Sequence, residues 1–271
     1  MAATERLPDY APLLSDYHLA YARELRAMLD VLPLGEGDTV LEVACGDGFY
    51  ARRLAERVGP TGRVVAVDVL HAYLKQARCS DGSPFELVAA SLGNLPFDDD
   101  TFDLVWCAQS LFSLPDPLEA VSQMARVARP GGVVAVLEND TLHHILLPWP
   151  IEVELAARSA EMIGLIEDSD RPRKFYVGRQ LCELFRQAGL DHSRKRTWAT
   201  NRHAPLEPEE RGFLEKYIAY LRERALPHLD PAMREWFDRL TDPRSGVFIL
   251  DGPDLTVTCL DHVVCGVKPS R

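Results

Sequence analysis

The chain has 271 residues, 46% of them hydrophobic and 26% charged, which is enough for one good core carrying a cap and is ordinary for a globular enzyme. A formal charge of -11 and a pI near 5.2 argue against a nucleic-acid partner, which usually needs a basic face. Short clusters such as Arg194-Lys195-Arg196 do not reverse that balance.

In chain order, residues 16–32 carry Tyr17, Leu19, Ala20, Leu25, Met28, Leu29 and Leu32 at three- and four-residue steps. The spacing predicts one amphipathic helix, stopped by Pro33. The apolar run at 39–43 reads as a strand that breaks at Gly46 and Gly48 and resumes as a helix over 49–58. Gly59-Pro60-Thr61-Gly62 then turns the chain into a second strand, 63–68. A helix at 70–79, a short strand at 85–90 and a strand at 102–108 follow. The helix at 117–128 is ended by Arg129-Pro130-Gly131-Gly132 before a fifth buried strand at 133–138. Beyond it come a helix at 151–166, an acidic Arg-containing loop at 167–178 and a helix at 178–188 closed by Gly189. A strand at 193–199, two helices within 206–240 split near Pro227, and a last strand at 255–268 complete the chain.

The strand–glycine turn–helix at 39–58 is where a nucleotide-like cofactor would sit. Gly46 and Gly48 let the backbone approach a ligand, and the helix points its unpaired N–H groups at it. Gly46-Asp47-Gly48-Phe49-Tyr50-Ala51 also fits the dinucleotide pattern G-x-G-x-x-G/A, and Asp68, twenty residues past Gly48, suits a ribose-binding acid in either reading. Glu42 separates the two. It lies inside the buried strand, where a carboxylate would repel a pyrophosphate but favour a ligand carrying an ammonium and a sulfonium.

Leu41-Glu42-Val43-Ala44-Cys45-Gly46-Asp47-Gly48, Val67-Asp68, the run from Asn94-Leu95-Pro96-Phe97 to Phe102-Asp103-Leu104-Val105, Leu114-Pro115-Asp116-Pro117 and Arg129-Pro130-Gly131-Gly132 stand in one order and spacing. Over about residues 35 to 140 these blocks resemble the class I S-adenosylmethionine-dependent methyltransferases of small molecules. The resemblance implies an α/β fold, a doubly wound and mostly parallel seven-stranded sheet with helices on both faces and a helical cap from insertions. It implies a single domain over 1–271, with a lid helix in 1–34, a cofactor core in 35–140 and cap insertions at 141–178 and 206–240. The final strand resembles the antiparallel edge strand of these sheets.

The cofactor contacts so implied are Glu42, Ala44, Gly46 and Gly48 in the first turn, Asp68 and Val69 at the ribose, Ser91 and Leu92 at the adenine, and Gln109 after the fourth strand. Asp68 would grip both ribose hydroxyls. The family most often has an acid where Ser91 stands, and a neutral hydroxyl makes a weaker bond there. Many relatives have histidines where Phe112 and Ser113 stand, so the commonest base position is empty. Methyl transfer itself depends chiefly on aligning the nucleophile with the sulfonium carbon. Tyr10, Tyr17, His18 and Tyr21 are lid candidates, or aromatics holding the leading helix on the core.

For a general base, His143 and His144 rank first because they follow the fifth strand closely. His18 comes next, then His203, with Glu138 and Asp140 as carboxylate alternatives. Arg173, Lys174, Tyr176 and Arg179 suit either a clamp on an anionic substrate or, the favoured reading, pairing with Glu167, Asp168 and Asp170. Phe112, Trp149 and Trp198 line a pocket or pack in the core. No metal-ligand spacing occurs among the histidines and the six cysteines Cys45, Cys79, Cys107, Cys182, Cys259 and Cys265, so no metal is expected. Free thiols, the absence of a leader pattern and the absence of an apolar run near the roughly 20 residues that cross a bilayer point to a cytoplasmic protein with no membrane partner. The expected function is transfer of a methyl group from S-adenosylmethionine to a small molecule. A cyclase-like enzyme that keeps the cofactor without methylating, an NAD-dependent oxidoreductase and a non-catalytic binding module stay as alternatives.

Overall fold

The computed structural model describes residues 7, 11–78, 83–139, 143–167 and 176–270. Its sheet has eight strands: β1 Thr39–Val43, β2 Arg63–Asp68, β3 Glu86–Ala89, β4 Phe102–Ala108, β5 Ala128–Glu138, β6 Ile145–Leu146, β7 Asp191–His203 and β8 Thr256–Val267. Strands β1 to β5 run parallel in the order β3-β2-β1-β4-β5, and β8 lies antiparallel to β5, β6 and β7. The chain winds outward from β1 to β3, then returns to the other side of β1 with β4. The crevice outside the carboxyl ends of β1 and β4 is the switch point where such sheets bind ligands.

Both faces of the sheet are covered, which is why β1 and β4 read as nearly continuous apolar runs. On one face α2 (Ala22–Asp30), α3 (Phe49–Val58) and α8 (Pro208–Ala225) bury Leu25, Met28, Leu54, Phe213 and Leu214 with Leu104 and Trp106 of β4. On the other, α5 (Pro117–Val127) and α7 (Val177–Gln187) bury Val121, Met124, Leu181 and Phe185 with Val105 and Cys107. Helix α4 (His71–Ala77) links β2 to β3. A third, smaller core joins α6 (Ile151–Glu167), α8 and α9 (Pro231–Thr241), where Trp149 stacks on Phe237 at 5.8 Å. Among the described residues no helix is long and apolar enough to cross a membrane.

Three expectations change. The single helix over 16–32 is two, α1 (Ala11–Ala20) and α2, with Tyr21 between them at φ -118. Helical bonding nevertheless runs through it, from Tyr21 N to Tyr17 O and Leu25 N to Tyr21 O. The bend lets the Tyr21 ring bury beside Phe213 while its hydroxyl accepts from Cys259 Sγ at 2.8 Å. The last strand is not the edge: β8 lies between β5 and β7, and β7 is the outer strand. The reason is composition. Strand β8 buries Val257, Cys259, Val263 and Val264, whereas β7 carries Arg194, Lys195 and Arg196, charges that protect an exposed edge. The eighth strand is β6, a two-residue pairing with β8 that local periodicity does not show.

Candidate active site

The floor of the site is the turn after β1. Ala44, Gly46 and Gly48 all have left-handed φ, at 53, 53 and 76 degrees. A Cβ on Gly48 would stand 3.0 Å from the Phe85 ring and 3.1 Å from Ala77 Cβ, so this glycine lets the start of α3 pack against the end of α4 and the Phe85 ring. A Cβ on Gly46 would meet nothing within 4 Å, because the space above it is the cavity. Gly46 N donates to Asp68 Oδ2 at 2.9 Å and Leu70 N donates to Asp68 Oδ1 at 2.8 Å, which ties the turn to the end of β2. Burial raises the Asp68 pKa, and the N–H donors of Leu70, Gly46 and Val69 work against that rise.

A cavity of about 280 Å³ opens here, and Glu42, Ala44, Gly46, Asp68, Val69 and Gln109 all line it. Of the residues expected at the cofactor, Gly48, Ser91 and Leu92 do not. Gly48 caps α3 and packs against Phe85 and Ala77, Ser91 is exposed and bridged to Asn94, and Leu92 is buried in the core of one sheet face. Glu42 is wholly buried, its Oε2 has no hydrogen-bond partner among the described residues, and burial followed by the charges of Asp47 and Asp68 pushes its pKa up. Among the described residues Tyr50 OH and Gln109 Oε1, also on this cavity, are buried without hydrogen-bond partners too. Buried polar atoms are rarely left unpaired, so the cavity has the form of a site completed by a polar ligand that brings a cation to Glu42.

A second cavity, of about 200 Å³, adjoins the first. Leu14 and Gln109 line both, and Gln109 stands at the end of β4 with φ 48. The second wall is apolar and aromatic: Leu13 and Tyr17 from α1, Phe112 after β4, and Phe213, Tyr217 and Tyr220 from α8. His144 and Glu161 are on it as well. His144 Nε2 lies 3.5 Å from Asp261 Oδ1, the oxygen that accepts from Tyr17 OH at 2.9 Å. The His144 ring meets Tyr17 edge-on at 5.3 Å. A buried carboxylate thus accepts a hydrogen bond from a tyrosine of α1 and lies close to a histidine after β5.

The other base candidates take different places. His18 lines the cofactor cavity, stacked on Phe49 at 4.2 Å with Nδ1 3.8 Å from Asp47 Oδ1. His143 lines neither cavity, and Arg179 Nη2 is 3.1 Å from its Nδ1. His203 is exposed on β7, 3.2 Å from Thr256 Oγ1. Glu138 Oε1 accepts from Ser110 N and Leu111 N at 2.9 and 2.7 Å, so it fixes the loop after β4; burial raises its pKa to about 8. Of the suggested cation group, Arg179 lies over the Tyr176 ring and Glu167 is 3.5 Å from His228. Tyr10, Asp140, Asp168, Asp170, Arg173 and Lys174 lie outside the described residues. Phe112 lines the second cavity, whereas Trp149 and Trp198 pack against the core. Among the described residues no group of three or more His, Cys, Asp and Glu is placed to hold a metal ion.

Asp261 and Glu161 escaped the sequence reading. Each had a signal: Asp261 alternates with Val257, Cys259 and Val263 on the inward face of β8, and Glu161 falls four residues after Ala157 on the buried face of α6. A carboxylate at an inward position needs a partner.

A doubly wound sheet whose switch-point crevice holds a glycine turn, a strand-end acid and an unpaired buried carboxylate defines a nucleotide-cofactor enzyme of the class I type. A family model described as a methyltransferase domain matches residues 41–136. The demethylmenaquinone methyltransferase of Bacillus licheniformis is 31% identical over 174 residues, which are 60% of this chain and 74% of that protein. That of Lysinibacillus sphaericus is 30% identical over 186 residues, 64% of this chain and 77% of its own. Among solved structures, YcgJ of Bacillus subtilis aligns over 92% of this chain and 100% of its own with a TM-score of 0.57 at 15% identity, a likeness of fold. The chain belongs to the S-adenosylmethionine-dependent methyltransferases. It is an enzyme that methylates a small molecule, with S-adenosylmethionine as its cofactor.

Proposed function

We propose that the acceptor is an apolar, ring-bearing small molecule bound in the aromatic cavity, and that His144 is its general base. The observation that carries this reading is the Tyr17–Asp261–His144 cluster on the wall of a cavity that meets the cofactor cavity at Leu14 and Gln109. The relatives' acceptor by name, demethylmenaquinone, belongs to the same apolar ring class. Bound S-adenosylmethionine supplies an electrophilic methyl group on sulfur.

This chain's residues do the rest. Glu42 binds the cationic amino-acid tail, Asp68 the ribose, and Ala44, Gly46, Val69 and Gln109 shape the remaining wall. Ser91 and Leu92 would take the adenine edge, and Gly48 acts by packing α3. His144 takes the acceptor's proton on a ring nitrogen, and Asp261, 3.5 Å from its Nε2, stabilises the imidazolium so formed. His18 orients the turn through Asp47, and His143 is set aside as a base because it faces Arg179. Segment 1–34 serves as a lid, and 141–178 and 206–240 as a cap, within one domain; supporting this, Tyr17, Glu161 and Tyr217 from these segments share one cavity. The enzyme works in the cytoplasm without a nucleic-acid or membrane partner, a reading supported by its charge of -11 and the buried thiols of Cys45, Cys107 and Cys259.

The test is incubation with metabolite extracts and cofactor carrying a deuterated methyl group. Label should appear in apolar ring compounds, and His144→Ala should lower kcat by about 10²- to 10⁴-fold while leaving S-adenosylhomocysteine binding intact. Full turnover in His144→Ala would show that the proton goes elsewhere.

A further inference from the structure

Among the described residues Glu161 is the one carboxylate on the wall of the aromatic cavity, and the catalytic reading gives it no work. It is 3% exposed, on the face of α6 that buries Val153, Ala157 and Ala160. It forms no hydrogen bond or ion pair among the described residues. The two nearby guanidinium groups are engaged elsewhere: Arg158 bonds Glu154 at 3.0 and 2.9 Å, and Arg224 lies over the Tyr220 ring at 3.6 Å. Burial outweighs the field of both and raises the Glu161 pKa to about 7.

Tyr217, Tyr220 and Phe213 share the wall with Glu161, and among the described residues no Lys or Arg lines this cavity. A carboxylate among aromatic faces with no cation of its own attracts a positively charged group and repels an anionic one. We propose that Glu161 selects the acceptor, and that the acceptor presents a protonated amine to the Glu161 carboxylate between the tyrosine rings of α8. This rests on the reading of the aromatic cavity as the acceptor site. A buried carboxylate without a partner costs stability in the free enzyme, and an ammonium group would offset that cost in the complex.

The probes are three molecules of one shape: 1-naphthylmethylamine, 1-naphthylmethanol and 1-naphthoate. Their binding is measured by calorimetry on the enzyme saturated with S-adenosylhomocysteine, at about pH 8, where Glu161 is ionised and the amine protonated. The amine should bind at least about tenfold more tightly than the alcohol and the acid, and Glu161→Gln should remove that advantage. The Gln variant should bind S-adenosylhomocysteine as the parent does, which shows that it is folded. Equal binding of amine and alcohol, or a preference that survives in Glu161→Gln, overturns the role of Glu161 and leaves the cavity as the acceptor site. If none of the three binds while S-adenosylhomocysteine does, the acceptor site itself is wrongly placed and both readings fall.

Discussion

Replacing Glu42 by Gln should stabilise the cofactor-free enzyme and weaken its cofactor complex, two effects of opposite sign from one charge. In the free protein this carboxylate is buried, has an unpaired oxygen, and shares its surroundings with Asp47 and Asp68. Its pKa in the folded state lies above its ordinary value of 4.5. The folded protein therefore holds that proton more tightly than the unfolded chain does. The stability contributed is complete below 4.5 and is lost as pH rises through the raised value. Glu42→Gln should flatten this part of the pH profile and raise the apo melting temperature at neutral pH. In the complex, losing a charge-assisted hydrogen bond costs about 1.5 to 3 kcal/mol, or roughly 10- to 150-fold in Kd for S-adenosylhomocysteine. At a ligand concentration of 100 times the parent Kd, ligand stabilisation falls from about 2.7 kcal/mol to between about 0.3 and 1.3. Calorimetric titration and thermal melts from pH 5 to 8, with and without ligand, read both effects. An unchanged Kd, or a Gln variant that melts lower without ligand, would refute the assignment of Glu42 as the partner of a cation.

Tyr17→Phe removes the hydroxyl that donates to buried Asp261 and should cost about 1.5 to 3 kcal/mol in denaturant unfolding. It should also slow turnover by loosening His144, and a variant as stable as the parent would mean that Asp261 finds another donor. Gly48→Ala and Gly46→Ala should separate two uses of glycine. At Gly48 a Cβ meets Phe85 and Ala77, so the variant should lose more than about 1 kcal/mol of stability. At Gly46 the Cβ enters open space, so cofactor Kd should rise more than stability falls; equal behaviour of the two would put Gly46 away from the ligand.

The turn from β1 into α3 was legible because every part of it is local: an apolar run, two glycines with positive φ, and a helix within twenty residues. Glu42 was legible for a related reason, since a charge inside a buried strand declares its own need for a partner. The break at Tyr21 was not, because it follows from where that ring packs against Phe213, far along the chain.

From the sequence alone came the buried strands, the helices, the glycine turn and the acid of β2, read from apolar runs, helical periodicity and glycine positions, while the parallel order of the core was what the family resemblance implied. The tertiary structure decided the order of the last strands, the union of Tyr17, His144 and Asp261, and the placing of Glu161 in an aromatic wall. These residues are brought together by packing between segments as much as 244 positions apart, and local periodicity reports which face a side chain occupies but not which distant side chain faces it.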